Sequence, residues 1–138
     1  MAVNSTDRLV LDTSAYSHLR TGHSQVIDYV ADAPVVIMPV TVLGELEAAF
    51  ELGSRVQENR HALADFLNEP FVSVLDVTSE TVRHYARIFV ALRRAGTPIP
   101  MNDVWIAAAT MECRGCLLTF DNDYRHVAEL DYTLLDAP

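Results

Sequence analysis

RLVLDTSAYSHL, residues 8–19, is a short apolar run that stops at an acid and passes at once into a helical pattern. Arg8 to Leu11 read as a buried strand ending in Asp12, and Thr13 and Ser14 offer hydroxyls suited to capping a helix through roughly Leu19. The same junction recurs downstream. PVVIMPV (34–40) is β-branched and apolar, and Thr41 then caps a helix carrying Val42, Leu43, Leu46, Ala49 and Phe50, with Glu45 in its first turn or so. FVSVLDV (71–77) follows Pro70 as a third strand, and Thr78 or Ser79 opens a long amphipathic helix to about Ala95. GCLLTF (115–120) is a fourth strand and YTLLD (132–136) a short last one.

Between these units lie further helices. Ser24 caps SQVIDYVADA (24–33), Gly53 ends the helix that contains Glu45, and a segment from about Ser54 to Asn68 forms a helical hairpin with it. Gly96, Pro98 and Pro100 are the marked breaker cluster, and they lead into NDVWIAAATMEC (102–113), apolar on nearly all sides and therefore a core helix. DNDYRHV (121–127) is a loop with a helical turn. Strands alternating with helices predict an α/β domain in three layers, a central parallel sheet of about five strands flanked by helices, with residues 1–138 forming one domain.

Composition narrows the chemistry. The chain has 138 residues, half of them apolar and a fifth charged, enough for a core without disulfides. The ten basic residues are all Arg, so a Walker lysine, a Schiff-base lysine and the lysine of aspartyl-phosphate sites are excluded. A net charge of −9 argues against gripping a polyanion by general electrostatics, so a nucleic-acid contact needs a local Arg patch and a metal site. No stretch is apolar enough to span a bilayer, and the polar start MAVNSTDR lacks the features of a signal peptide, which predicts a cytoplasmic protein without membrane partners.

Four acids mark strand ends or helix starts: Asp12, Glu45, Asp103 and Asp121, with Asp123 as a substitute for the last. Taken singly, each has an ordinary structural role as a cap, a turn residue or a charge at a helix N-terminus. Together, at the carboxyl ends of parallel strands, they converge on one crevice where a divalent metal offsets their repulsion. Oxygen ligands without a His or Cys cluster select magnesium or manganese, and the matching chemistry is phosphodiester cleavage by metal-activated water.

The blocks LVLDTSAY (9–16), VTVLGELEAAF (40–50), IPMNDVWIAAA (99–109) and LLTFDNDYRHV (117–127) resemble, in order and over nearly the whole chain, the four blocks of the PIN-domain ribonucleases. The chain length is most similar to that of the VapC toxins of type II toxin–antitoxin pairs. The resemblance implies a five-stranded parallel sheet, and Mg2+ or Mn2+ held by Asp12, Glu45, Asp103 and Asp121. It also implies supporting roles for Thr13, Ser14, Asn102 and Thr119, cleavage of a structured RNA such as tRNA or rRNA, a cognate VapB-type antitoxin, and a homodimer. Arg55, Arg60, Arg93 and Arg94 are the candidates for RNA backbone contacts, against the plainer reading of helix-surface ion pairs.

Other residues carry less. Tyr16 and His18 fall near the mouth of the crevice, with Tyr16 also suited to the core. Trp105 is expected to pack beneath the acids. Cys113 and Cys116 form one CxxC, which lacks companion ligands for zinc and the helix N-terminus of a redox pair, so they read as buried thiols. A phosphoacceptor domain using Asp12 wants an Asp where Ser14 stands and a Lys that is absent. A non-catalytic RNA- or protein-binding module and a housekeeping nuclease are the remaining alternatives; metal-independent binding that survives Asp12→Asn and Asp103→Asn would favour the first, and an adjacent small antitoxin gene separates a toxin from the second.

Overall fold

Three strands are apolar without alternation, and they form the centre of the sheet. In the computed structural model, which describes residues 7–137, β1 (Arg8–Leu11), β2 (Val35–Pro39) and β4 (Cys116–Thr119) are buried along almost their whole length. Residues 1–6, which make up most of the polar start, lie outside the described residues. The edge strands β3 (Val72–Leu75) and β5 (Tyr132–Leu134) are shorter or more exposed. All four pairings are parallel, in the order β3-β2-β1-β4-β5, with Val10 opposite Ile37 on one side and Leu117 on the other. A central strand of a parallel sheet is covered on both faces, which is why its sequence is apolar throughout.

The helices supply that cover. They are α1 (Thr13–Arg20), α2 (Ser24–Asp32), α3 (Val40–Leu52), α4 (Val56–Leu67), α5 (Ser79–Ala95) and α6 (Met101–Glu112). Val104, Ile106, Ala107, Ala108, Ala109 and Thr110 of α6 are all buried, and the Thr110 hydroxyl returns to the Ile106 carbonyl at 2.9 Å. The amphipathic α5 begins with a capping box between Thr78 and Thr81 and ends at Gly96, whose φ of 74° suits glycine. Thr97 N–H then closes the helix end on the Leu92 carbonyl.

Several starts differ from the sequence expectation. Asp12 itself caps α1, its carboxylate accepting the Ala15 N–H at 2.8 Å, which leaves Thr13 and Ser14 free to bond elsewhere. The cap of α2 is His23 rather than Ser24. β2 runs directly into α3 at Pro39, so Thr41 lies inside the first turn and Glu45 falls in the second. The hairpin's second helix starts at Val56, two residues later than expected.

CRGC (113–116) forms the turn from α6 to β4. A Cβ on Gly115 would stand 2.8 Å from Val10 Cγ2 and 2.9 Å from the Arg8 carbonyl oxygen, so this position admits only glycine without displacing β1. Cys113 and Cys116 are free and half-buried, and burial raises both thiols above their ordinary pKa, the state of an unreactive cysteine.

Candidate metal centre

The strand order reverses between β1 and β4. From β1 the chain moves outward to β2 and β3, and the later strands add on the opposite side, so the crevice beyond the carboxyl ends of β1 and β4 is the switch point of the sheet. Asp12 follows β1 and Asp121 follows β4. The Asp12 N–H reaches the Leu118 carbonyl at 3.4 Å, which ties the two strand ends together.

Asp12 is 4 % exposed and its carboxylate is held from three directions. Oδ1 accepts from Ser14 Oγ at 2.7 Å and from Ala15 N, while Oδ2 accepts from the Thr119 hydroxyl. Burial raises its pKa, and the bonds from Thr119, Ser14 and Ala15 oppose that rise. Those bonds favour the ionised form. Ser14 Oγ also accepts the Phe120 N–H at 3.0 Å, and Thr119 Oγ1 accepts the Asp121 N–H at 2.9 Å. Two hydroxyls therefore lock the β1 and β4 ends into a single frame.

Glu45 points back from α3 to α1, its Oε1 accepting from the Thr13 hydroxyl at 2.6 Å. Asp103 is the third residue of α6, which begins after Pro100, and its Oδ1 accepts from Tyr124 Oη at 3.2 Å. Its carboxyl is pushed up to about 7, first by burial, then by the charge of Asp121, with Glu45 and Asp12 adding to the rise and the Tyr124 bond opposing it. Burial disfavours the charged carboxylate, and the neighbouring negative charges add to that effect.

Asp103, Asp121 and Asp123 form the tightest group: one oxygen from each lies within 4.8 Å of the others. Asp121 caps the 3-10 turn Asn122–His126, its Oδ1 accepting the Asp123 N–H at 2.9 Å, so both candidate acids of this loop lie beside Asp103. Asp12 and Glu45 are near enough to act on Asp103 through their charge. A half-buried all-carboxylate set with one member near neutrality fits a hard divalent cation.

Of the four supporting residues, Thr13, Ser14 and Thr119 bond directly to candidate ligands, whereas Asn102 is exposed in the first turn of α6. Trp105 does not lie beneath the acids. It stacks on Tyr85 of α5 with ring centroids 4.0 Å apart, because residues two apart on a helix point in different directions. The buried aromatic at the site is Tyr124, which the sequence reading missed; a large aromatic in the otherwise polar DNDYRHV loop was the available signal.

His18 stacks on Phe120 at 3.8 Å and bonds through Nδ1 to the Ser14 carbonyl, beside the crevice. Arg60 is engaged with Glu47 at 2.7 Å and with Glu51, so it clips α4 to α3 instead of offering a free cation. Arg55, Arg93 and Arg94 are exposed, and Arg93 lies over the Phe89 ring.

Comparison with known proteins identifies the family. The family model described as PIN domain matches residues 9–130. The chain belongs to the PIN domain family. Ribonuclease VapC5 of Mycobacterium tuberculosis (strain ATCC 25618 / H37Rv) is 26% identical over 115 residues, covering 83% of this chain and 84% of that protein. The PIN fold is shared with VapBC2 from Rickettsia felis, solved bound to a DNA fragment from its promoter, at a TM-score of 0.82 and 18% identity over 94% of this chain and 99% of that one. Mycobacterium tuberculosis VapC20, described as a sarcin-ricin loop cleaving toxin, superposes with a TM-score of 0.66 at 22% identity over 87% of this chain and 95% of its own. The two solved structures match the chain over 99% and 95% of their own length, so they share its fold as a whole.

Proposed function

We propose that this PIN-domain protein is a Mg2+- or Mn2+-dependent endoribonuclease and the toxin of a type II toxin–antitoxin pair, with residues 1–138 acting as one catalytic unit. The observation that carries the reading is the carboxylate group at the switch point, where Asp103, Asp121 and Asp123 bring oxygens within 4.8 Å of one another and burial, with the charge of Asp121, raises the Asp103 carboxyl to about 7. An electrostatic conflict of this kind, maintained by dedicated hydrogen bonds, is expected of a functional site rather than of a structural one.

Asp12, Glu45, Asp103 and Asp121 would hold the metal, and Asp123 adds a fifth carboxylate. When bound, such an ion lowers the pKa of its water and offsets negative charge building on the phosphate. The chain's own residues set the geometry. Ser14 and Thr119 fix both oxygens of Asp12, Thr13 fixes Glu45, and Tyr124 aims Asp103. Arg55, Arg93 and Arg94 are free to position the RNA backbone, which an acidic chain needs from a local patch.

The substrate class is structured RNA with an unpaired loop, tRNA or rRNA, since bases splayed from a loop are what a concave site reads. VapC20's described action on the sarcin-ricin loop and the solution of other relatives as VapBC pairs support this substrate and a VapB-type partner. Leu52, almost fully exposed at the end of α3, gives the α3–α4 hairpin an apolar tip suited to a homodimer or antitoxin contact. Among the described residues no helix is long and apolar enough to cross a membrane, in keeping with a cytoplasmic toxin.

The test is cleavage of total cellular RNA by antitoxin-free protein with Mg2+ or Mn2+, beside EDTA and Asp12→Asn controls, with cut sites read by sequencing. Discrete cuts that vanish in both controls are expected. RNA binding without cleavage, unchanged in Asp12→Asn and Asp103→Asn, would replace the enzyme with a binding module.

A further inference from the structure

A pocket lies further along the helices that follow Asp12 and carry Glu45. α1 and α3 continue away from the metal centre and, with α4, enclose this pocket of about 280 Å³. Its apolar wall is Leu46 and Phe50, and its polar lining is Tyr16, Ser17, Arg20 and Asn59. Tyr16 is 2 % exposed, yet its hydroxyl has no hydrogen-bond partner among the described residues. A buried hydroxyl left unpaired costs roughly 1–3 kcal/mol, so an orphan on a pocket wall marks where a ligand supplies the missing bond.

Arg20 strengthens the case. It lines the same pocket, its charge acts on Tyr16, and no carboxylate within 4.0 Å occupies its guanidinium among the described residues. Asn59, Ser17 and Tyr16 can each donate or accept, whereas Arg20 only donates, so a ligand edge that faces Arg20 must present acceptors. Tyr16 and Arg20 follow Asp12 by four and eight residues, which places them roughly 6 and 12 Å further along the helix axis. That is the reach of a neighbouring nucleotide when the scissile phosphate lies on the carboxylates.

We propose that this pocket receives the unpaired base of a nucleotide flanking the cut, preferring guanine, with Arg20 donating to its O6 and N7 edge and Leu46 and Phe50 against its face. The inference rests on the endoribonuclease reading. Arginine pairs with that guanine edge through two parallel bonds, which no other base offers in the same form. An apolar wall against a flat ring suits single-stranded RNA, whose bases are free to leave the stack.

The experiment combines binding and cleavage of a short single-stranded RNA bearing the mapped cut site, with each flanking guanine replaced in turn by 7-deazaguanine or adenine. Binding is measured in EDTA, where no cleavage occurs, using wild type, Arg20→Ala and Tyr16→Phe. For one flanking guanine, Arg20→Ala is expected to weaken binding and raise KM roughly ten- to a hundred-fold with kcat nearly unchanged. The same replacement in the RNA should then cost the variant nothing further. Tyr16→Phe removes an orphan hydroxyl, so it should bind RNA more weakly while unfolding at the same or a higher temperature, a combination that a structural role does not give.

If wild type cleaves RNA but neither variant nor base replacement alters KM, the pocket proposal falls and the endoribonuclease reading stands. Arg20-dependent binding of guanine RNA by a protein that cuts nothing would overturn the enzyme and, with it, the claim that the bound base flanks a cut. Loss of a co-expressed antitoxin from Arg20→Ala, with RNA binding intact, would make the pocket a protein-docking site and sink the base-binding proposal.

Discussion

Thr119 and Asp12 join the ends of neighbouring strands: the Thr119 hydroxyl donates to Asp12 Oδ2 and accepts the Asp121 N–H at 2.9 Å. One buried side chain thus sets the orientation of two acids at once. Thr119→Val keeps the shape and removes both bonds, leaving a carboxylate oxygen buried without a donor. The expected cost is about 1–3 kcal/mol in urea unfolding, and weaker Mn2+ binding by calorimetry. Thr119→Ser should restore most of both; equal losses in the two variants would show that the methyl group matters rather than the hydroxyl.

Tyr124 is the corresponding support for Asp103. Its hydroxyl bond opposes the rise in the Asp103 pKa, and burial keeps the phenol itself protonated as a donor. In Tyr124→Phe the carboxyl should retain its proton to higher pH. Metal affinity near pH 7 is expected to drop several-fold and to recover as pH is raised toward 9, because ligation requires the ionised carboxylate. A loss that is the same at every pH would indicate misplacement of Asp103 rather than altered titration.

How much of this was legible in the sequence depends on whether a feature is local. The central strands were readable because β1, β2 and β4 are buried on both faces and so run apolar without alternation between Arg8 at the start of β1 and Thr119 at the end of β4, and Asp12 and Asp121 stood out as the acids that follow such runs. Thr41 looked like a cap because it is a hydroxyl residue near a helix start. β2 turns into α3 without a connecting loop, however, and Pro39 takes that place. The partners of Asp12 and Asp103 were not legible as pairs: Thr119 and Asp12 are 107 residues apart, and only the β1–β4 register brings them together. Tyr16 gave no sign that its hydroxyl would be left without a partner.

Gly115 tests the mechanical link between the turn and the site. A methyl group there meets Val10 Cγ2 and the Arg8 carbonyl oxygen, and the carbonyl is backbone that does not swing aside. Gly115→Ala should cost roughly 1–3 kcal/mol as β1 shifts to make room. Since β1 carries Asp12, catalytic loss is expected to exceed what the unfolded fraction explains. Cys113→Ala, at the other side of the same turn, should leave metal binding unchanged; a drop there would point to a thiolate ligand.

Asp103 gives the chain a pH-dependent stability that a cation should reverse. Its ordinary carboxyl value of 3.8 rises to about 7 in the fold, so the folded state binds this proton more tightly than the unfolded chain. Below about pH 4 both states are protonated and the group contributes no pH dependence. Between there and pH 7 the unfolded chain ionises first and stability falls; above about 7 the full penalty is in place. The melting temperature in EDTA should therefore decline from pH 5 to 8 more steeply in wild type than in Asp103→Asn. Mn2+ should raise it most at the upper end, where the ionised carboxylates gain a counter-charge. If the two proteins lost stability in parallel, or Mn2+ stabilised Asp103→Asn as strongly as wild type, the carboxyl would not be the group in conflict and its place among the metal ligands would have to be given up.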